Sequence, residues 1–178
     1  LKRMYMALTS PVTLTIVVPV YNAEATIGRL VDTLLAQPPL PHTDVVLVND
    51  GSRDGSHREC LACCDRHPGR VTYLRLARNF GEHGAVMAGL CQSGGDYVVV
   101  MDDDFQNPPH EAARLVDAAV AGGFDVVYGA YREKCHDVLR NWGSAFNDLV
   151  ATWLLGKPRH LYLSSFKCLS RLLVERIT

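Results

Sequence analysis

Five short apolar runs, mostly β-branched, recur along the chain with helix-spaced segments between most of them. They are Thr13–Val18, Asp44–Val48, Val71–Leu76, Tyr97–Met101 and Phe124–Tyr128. A continuous apolar run bounded by turn residues predicts a strand covered on both faces. Between the first two runs, Ile27, Leu30, Val31, Leu34 and Leu35 recur at i, i+3, i+4, i+7, i+8, one face of an amphipathic helix. A second helix is predicted over Ser56–Arg66 and a third over Gly81–Cys91, the latter weakened by Gly84 and Gly89. A fourth opens at Pro108-Pro109 and buries Ala112, Leu115, Val116, Ala119 and Val120 before Gly122-Gly123 closes it. Such alternation predicts an α/β fold: one mainly parallel sheet with helices on both sides, a three-layer sandwich.

The final third breaks the rhythm. Leu139, Trp142, Phe146, Leu149, Val150 and Trp153 predict a long amphipathic helix ending near Pro158, and Tyr162–Cys168 reads as one more strand. The chain then stops inside a helix at Thr178. With 178 residues, one domain is expected, preceded by an irregular tail over residues 1–11.

The run Tyr97–Met101 leads straight into Asp102-Asp103-Asp104. A strand there carries three carboxylates out at its C-terminal end, the edge where open α/β sheets bind ligands. Adjacent carboxylates repel, and a divalent cation relieves that repulsion. In extended chain Asp102 and Asp104 point the same way and can share one ion while Asp103 faces elsewhere. Hard oxygen ligands favour Mg2+ or Mn2+ with phosphate completing the shell. The alternative is an acidic loop or a set of helix caps. Placement after a buried strand favours the ion.

Polar clusters fall at the ends of the other strands too: Pro19-Val20-Tyr21-Asn22, Asn49-Asp50-Gly51-Ser52, Arg78-Asn79-Phe80 and Tyr131-Arg132. Together they imply a ligand cleft along one edge. A dinucleotide dehydrogenase would need G-x-G-x-x-G after the first strand, where this chain has Val-Tyr-Asn-Ala-Glu; the P-loop pattern is missing as well. A net charge of -1 gives no field for nucleic acid, so none is expected as a partner. Cys60, Cys63 and Cys64 sit at helical spacing, which favours packing over a metal site, and Cys91, Cys135 and Cys168 complete no paired zinc framework. Free thiols without a signal peptide point to a cytoplasmic location. No apolar run reaches the ~18 residues of a membrane helix.

Val-Pro-Val-Tyr-Asn-Ala-Glu (18–24), Val-Asn-Asp-Gly-Ser-Arg-Asp-Gly-Ser (48–56) and Asp-Asp-Asp-Phe-Gln-Asn-Pro-Pro (102–109) resemble the family 2 glycosyltransferases of GT-A fold. Arg-Asn-Phe-Gly-Glu-His-Gly-Ala-Val-Met-Ala-Gly-Leu (78–90) is similar to the branch that uses dolichyl and other polyprenyl phosphates. The resemblance implies an inverting, metal-dependent transfer of sugar from a nucleoside-diphosphate sugar to a polyprenyl phosphate. It implies that Asp50 reads the nucleoside, with Pro19, Tyr21 and Glu24 lining the pocket; a turn or cap role for Asp50 is the competing reading. Asp102 and Asp104 match the D-x-D pair holding metal and diphosphate, and Gln106 a further metal or phosphate ligand. Arg132, Arg140 and Ser144 match residues that bind the acceptor phosphate. Arg140 and Ser144 are i, i+4 on the long helix, away from Trp142 and Phe146, though a solvated face would look the same. Lys167 matches a basic position near a phosphate, or is an ordinary surface lysine.

A phosphate acceptor is already largely ionised near neutrality and needs arginine more than a base. A sugar hydroxyl would need a carboxylate, and His160-Leu161-Tyr162-Leu163-Ser164-Ser165 has none. Transfer to a saccharide hydroxyl, or nucleotide-sugar binding without turnover, are the rival readings. Relatives in this branch often continue into membrane helices, so a catalytic fragment or a peripheral form at the inner membrane face is expected. The Arg159-His160 region is the stretch that would touch a membrane surface.

Overall fold

The computed structural model describes residues 11–36, 42–105, 107, 108, 110–129 and 165–178. The chain divides into two compact units, Leu1–Val127 with Ser165–Thr178, and Tyr128–Ser164. The predicted long helix, Arg132, Arg140, Ser144 and Cys135 all lie outside the described residues, as does Gln106.

The strands are β1 (Thr13–Val20), β2 (His42–Asn49), β3 (Val71–Arg75), β4 (Tyr97–Val100), β5 (Val126–Tyr128) and β6 (Lys167–Ser170). The helices are α1 (Ile27–Ala36), α2 (Ser56–Arg66), α3 (Glu82–Gln92), α4 (Glu111–Gly122) and α5 (Arg171–Ile177). The sheet runs β3-β2-β1-β4-β6-β5. β1 is parallel to both β2 and β4, β2 is parallel to β3, and β6 is antiparallel to β4. The expected α/β sandwich is therefore present, and mainly parallel.

Alternation along the strands divides the core in two. Ile16, Val18, Leu47, Val99 and Met101 face the layer of α1, α2 and α4. Val17, Val46, Val48, Val98 and Val100 face α3 and α5. The five predicted contact residues of α1 are all buried. At ~1.5–3 kcal/mol gross for each such side chain, that face holds a helix with no acidic residue in its first turn. Cys60 and Cys63 pack in the same layer, and burial pushes the Cys60 thiol up to about 12, so it behaves as a small apolar group.

Several boundaries differ from expectation. Pro19 does not end β1; it pairs in register with Val48, and the strand runs on to Val20. A proline is tolerated there because the β4 ladder has already ended at Val17. α4 starts at Glu111 rather than Pro108, and Val120 is 40% exposed because the last turn overruns the four-residue strands beneath it. Phe124 and Asp125 precede β5 rather than open it, since Gly123 in the left-handed region (φ 61°) turns the chain out of the helix. The late strand begins at Lys167.

Gly89, which weakened α3 as a helix prediction, is where the helix lies against the sheet. A Cβ there would collide with the side chains of Val17 and Val48. On an open helix Gly→Ala gains about 1 kcal/mol, but overpacking a tight core costs about 1–3 kcal/mol. Gly89→Ala is expected to lower stability in a denaturant titration, and a net gain would show that α3 is not held this close.

Candidate active site

The loops after β1 and β2 are laced together. Asn22, in the left-handed region at φ 54°, donates its N–H to Ser52 Oγ (3.0 Å) and accepts the Arg53 N–H at Oδ1 (2.9 Å). The Ala23 N–H reaches Ser56 Oγ (2.8 Å) and the Glu24 N–H reaches Asp54 Oδ2 (3.1 Å). Glu24 in turn accepts the Gly55 N–H at 2.6 Å. Desolvation works against the Asp54 carboxylate, but donation from Ser56 N–H and Oγ and from the Glu24 N–H outweighs it and holds its pKa below the ordinary value. Pro19, Tyr21, Glu24 and Asp50 are thereby gathered at one corner, with Tyr21 about half exposed.

Asp50 is buried, and its two carboxylate oxygens accept the N–H groups of Phe80 (2.7 Å) and Gly81 (2.9 Å). That fastens the loop before α3 to the end of β2. Gly51, at φ 70°, brings the turn against the Arg78-Asn79 backbone so closely that a Cβ would stand 2.7 Å from the Asn79 nitrogen. Asp50 is thus a tie between two loops, and a carboxylate with two bonds made keeps acceptor capacity.

At β4 the last rung is the Met101 N–H to Val17 O bond (3.1 Å). Beyond it the chain bends over residues 103–105 and Phe105 takes φ 60°, so the extended i, i+2 geometry expected for Asp102 and Asp104 does not hold. The three carboxylates have different surroundings. Asp102 accepts a hydrogen bond from Ser165 Oγ, Asp103 turns inward to the Tyr21 backbone N–H, and Asp104 is exposed. The bend is covered by α1, with the Arg29 guanidinium 4.7 Å from the Phe105 ring centre. Ser165 is a partner that sequence reasoning missed. It lies 63 residues from Asp102, and only the antiparallel return of β6 brings it there.

Lys167 is half-buried and pairs with Val100, so it stands at the carboxylate-bearing end of the sheet on the α3 side. A second concavity, about 860 Å³ and open, lies between α1 and α2 and is lined by Arg29, Asp32, Glu59 and Arg66. It holds an exposed Asp32–Arg66 pair at 3.1 Å and shares Arg29 with the cover of the acidic bend.

Among the described residues no group of three His, Cys, Asp or Glu side chains could enclose a metal. The donor set at Asp102 and Asp104 is instead two hard carboxylates, one of them oriented by a serine hydroxyl. That set fits Mg2+ or Mn2+ with positions left for water and phosphate, and does not suit a soft or fully enclosed ion.

A mainly parallel sheet whose strand order reverses between β1 and β4, with acidic loops at that point, is a GT-A fold. Solved structures of this shape include mannosyltransferase PcManGT from Pyrobaculum calidifontis in complex with GDP-Man and Mn2+, with a TM-score of 0.69 at 20% identity over 95% of this chain and 47% of that one. Another is glucosyl-3-phosphoglycerate synthase from Mycobacterium tuberculosis in complex with Mn2+, UDP and phosphoglyceric acid, with a TM-score of 0.69 at 21% identity over 91% and 57%. The Glycosyl transferase family 2 profile matches residues 15–169, and the chain belongs to that family. Among curated relatives, the undecaprenyl-phosphate 4-deoxy-4-formamido-L-arabinose transferase of Pseudomonas aeruginosa (strain LESB58) is 39% identical over 162 residues, covering 90% of this chain and 48% of the relative. Its namesake from Yersinia pestis bv. Antiqua (strain Angola) is 32% identical over 173 residues, covering 96% and 53%. The chain spans about half the length of these relatives.

Burial pushes the Asp103 carboxyl up to about 6; the Tyr21 N–H opposes this, and the Asp104 and Asp102 charges add to it. Its folded pKa exceeds the unfolded one, so the stability it contributes is full below about pH 4 and is lost as pH rises through about 6. Screening of this partly exposed group limits the effect to on the order of 1–2 kcal/mol. Denaturant midpoints between pH 4 and 7 should show this decline in the wild type and a flatter profile in Asp103→Asn.

Proposed function

We propose that the chain is the catalytic region of an inverting, metal-dependent glycosyltransferase that moves a sugar from a nucleoside-diphosphate sugar to a polyprenyl phosphate. The observation that carries this is the convergence of the Asp50 corner, at the ends of β2 and β1, with the Asp102–Asp104 bend at the end of β4, the strand next to β1. The first would take the nucleoside, between Tyr21, Pro19, Glu24 and Asp50. The second would take the diphosphate, with Asp102 and Asp104 holding Mg2+ or Mn2+ and Gln106 as a further ligand. The bound cation supplies Lewis-acid stabilisation of charge on the leaving diphosphate. Ser165 keeps Asp102 turned toward that duty, and Lys167 adds positive charge on the same edge.

The acceptor assignment draws on the relatives, whose names specify undecaprenyl phosphate. An ionised phosphate oxygen attacks the anomeric carbon opposite the leaving diphosphate, and no base has to remove a proton first. Arg132, Arg140 and Ser144 are assigned to bind and orient it; guanidinium matches phosphate geometry and offsets its charge. Among the described residues no helix is long and apolar enough to cross a membrane. Contact with the lipid acceptor at the inner face of a membrane is part of the proposal, with the Arg159-His160 stretch as the contact and no nucleic acid as partner.

A donor screen with manganese, with and without undecaprenyl phosphate, tests this directly. Asp104→Ala is expected to lower turnover by roughly 10²-fold or more, in line with removal of one preorganised electrostatic partner. Arg140→Ala should leave nucleotide affinity in place while transfer falls by about 10-fold or more, the loss of a charged hydrogen bond. Full activity in Asp104→Ala would refute the mechanism. Transfer to a saccharide hydroxyl but not to the lipid phosphate would replace the acceptor.

A further inference from the structure

Behind the Asp50 corner lies a polar chain that the proposed chemistry does not use. Asn49 is 1% exposed at the end of β2; its Oδ1 accepts the Ser52 N–H (2.9 Å), and its Nδ2 lies 3.1 Å from the Tyr73 hydroxyl on β3. That hydroxyl is 2.8 Å from Nδ1 of His57 on α2. One fixed donor sets the direction of both bonds that Asn49 makes. A backbone N–H can only donate, so the Asn49 atom facing Ser52 is the carbonyl oxygen and the atom facing Tyr73 is the amide nitrogen. The Tyr73 oxygen therefore accepts from Asn49 and must place its own proton elsewhere. His57 Nδ1 is its remaining partner among the described residues. With the Tyr73 proton on that bond, Nδ1 is the unprotonated nitrogen and the ring proton sits on Nε2.

We infer that His57, Tyr73 and Asn49 form a one-way hydrogen-bond chain that positions the Asn49–Ser52 loop, and so act as positioning residues for the nucleotide end of the cleft. This rests on the proposed reading of that loop as the nucleoside site. The chain runs from α2 across β3 to the end of β2, and its last bond closes the turn carrying Asp50 and Gly51. Ser52 then passes the constraint on, because its Oγ accepts the N–H of Asn22, next to Tyr21. A polar chain here selects one loop conformation where apolar packing would accept several. Burial also keeps the Tyr73 phenol above its ordinary pKa, so it remains a donor.

The test uses the full chain with ¹⁵N-labelled histidine and titrates UDP and GDP in the presence of manganese. Wild type should show His57 as the Nε2–H tautomer. In Asn49→Asp the carboxylate can only accept, so the Tyr73 proton turns toward it, His57 must donate, and its Nδ1 becomes protonated. A purely packing role predicts no tautomer change. Tyr73→Phe keeps the ring and removes the link; it should weaken binding of whichever nucleotide the wild type takes by about 3–10-fold, the effect of one neutral hydrogen bond. Nδ1–H in the wild type, or an unchanged tautomer in Asn49→Asp, overturns the directed chain. Unchanged nucleotide affinity in a folded Tyr73→Phe overturns the positioning role alone. A wild type that bound neither UDP nor GDP would overturn the donor reading, and the positioning role with it.

Discussion

The pairing of β1 with β4, Leu14 to Val17 against Tyr97 to Val100, is what the rest of the structure depends on. The chain builds outward from β1 through β2 to β3, then returns to the other side of β1. Parallel strands require crossovers, and each crossover helix must cover a face of the sheet. The helices after β1 and β2 take one face and α3 the other, so the reversal leaves a crevice between the ends of β1 and β4. Without that register Asp103 would not meet the Tyr21 backbone, and the acidic bend would not stand beside the Asp50 corner. The β6 return completes it: opposite Val100 it places Lys167 on the same edge, with Ser165 two residues earlier against Asp102.

Much of this was legible from sequence because the buried elements obey simple periods. The α1 face was read residue for residue, and α2 has the predicted bounds, since both helices bury one stripe against a sheet hidden on both sides. What failed was at edges. A proline after an apolar run reads as its end, yet Pro19 stays in β1 because the β4 ladder stops at Val17. Val120 fits the helical period yet overhangs short strands. The i, i+2 argument for Asp102 and Asp104 presumed extended backbone, and nothing in Asp-Asp-Asp-Phe-Gln announces that Phe105 adopts positive φ. The site was legible as composition at strand ends, but its pairings were not. Ser165 with Asp102 and Tyr73 with Asn49 join residues far apart in sequence, and no local spacing encodes them.

Four aspartates at one edge show how far environment outweighs residue type. Asp50 is buried and answered by two backbone N–H groups, so burial is compensated where the charge sits. Asp103 is held in partial burial with less compensation and beside two like charges, and its carboxyl is pushed up to about 6. Asp102 is steered by a hydroxyl, and Asp104 stays exposed. The group least suited to share a cation is the middle one, whose charge is already opposed. On the proposed reading, this is a physical reason for Asp102 and Asp104 to act as a pair without Asp103.

The two ends of the cleft are built on opposite principles. At the Asp50 end the loops are bonded to one another within the protein, through Asn22, Ser52, Gly55, Phe80 and Gly81, so the shape exists before any ligand arrives. At the Asp102–Asp104 end no group of three acidic, His or Cys side chains among the described residues encloses an ion. On the proposed reading the nucleoside meets a rigid wall, and the diphosphate supplies the ligands that the carboxylates lack. Metal and donor would then bind together, each weakly without the other. On that reading Asp102 and Asp104 would hold the cation together with the diphosphate, and the cation would supply charge stabilisation to the leaving group.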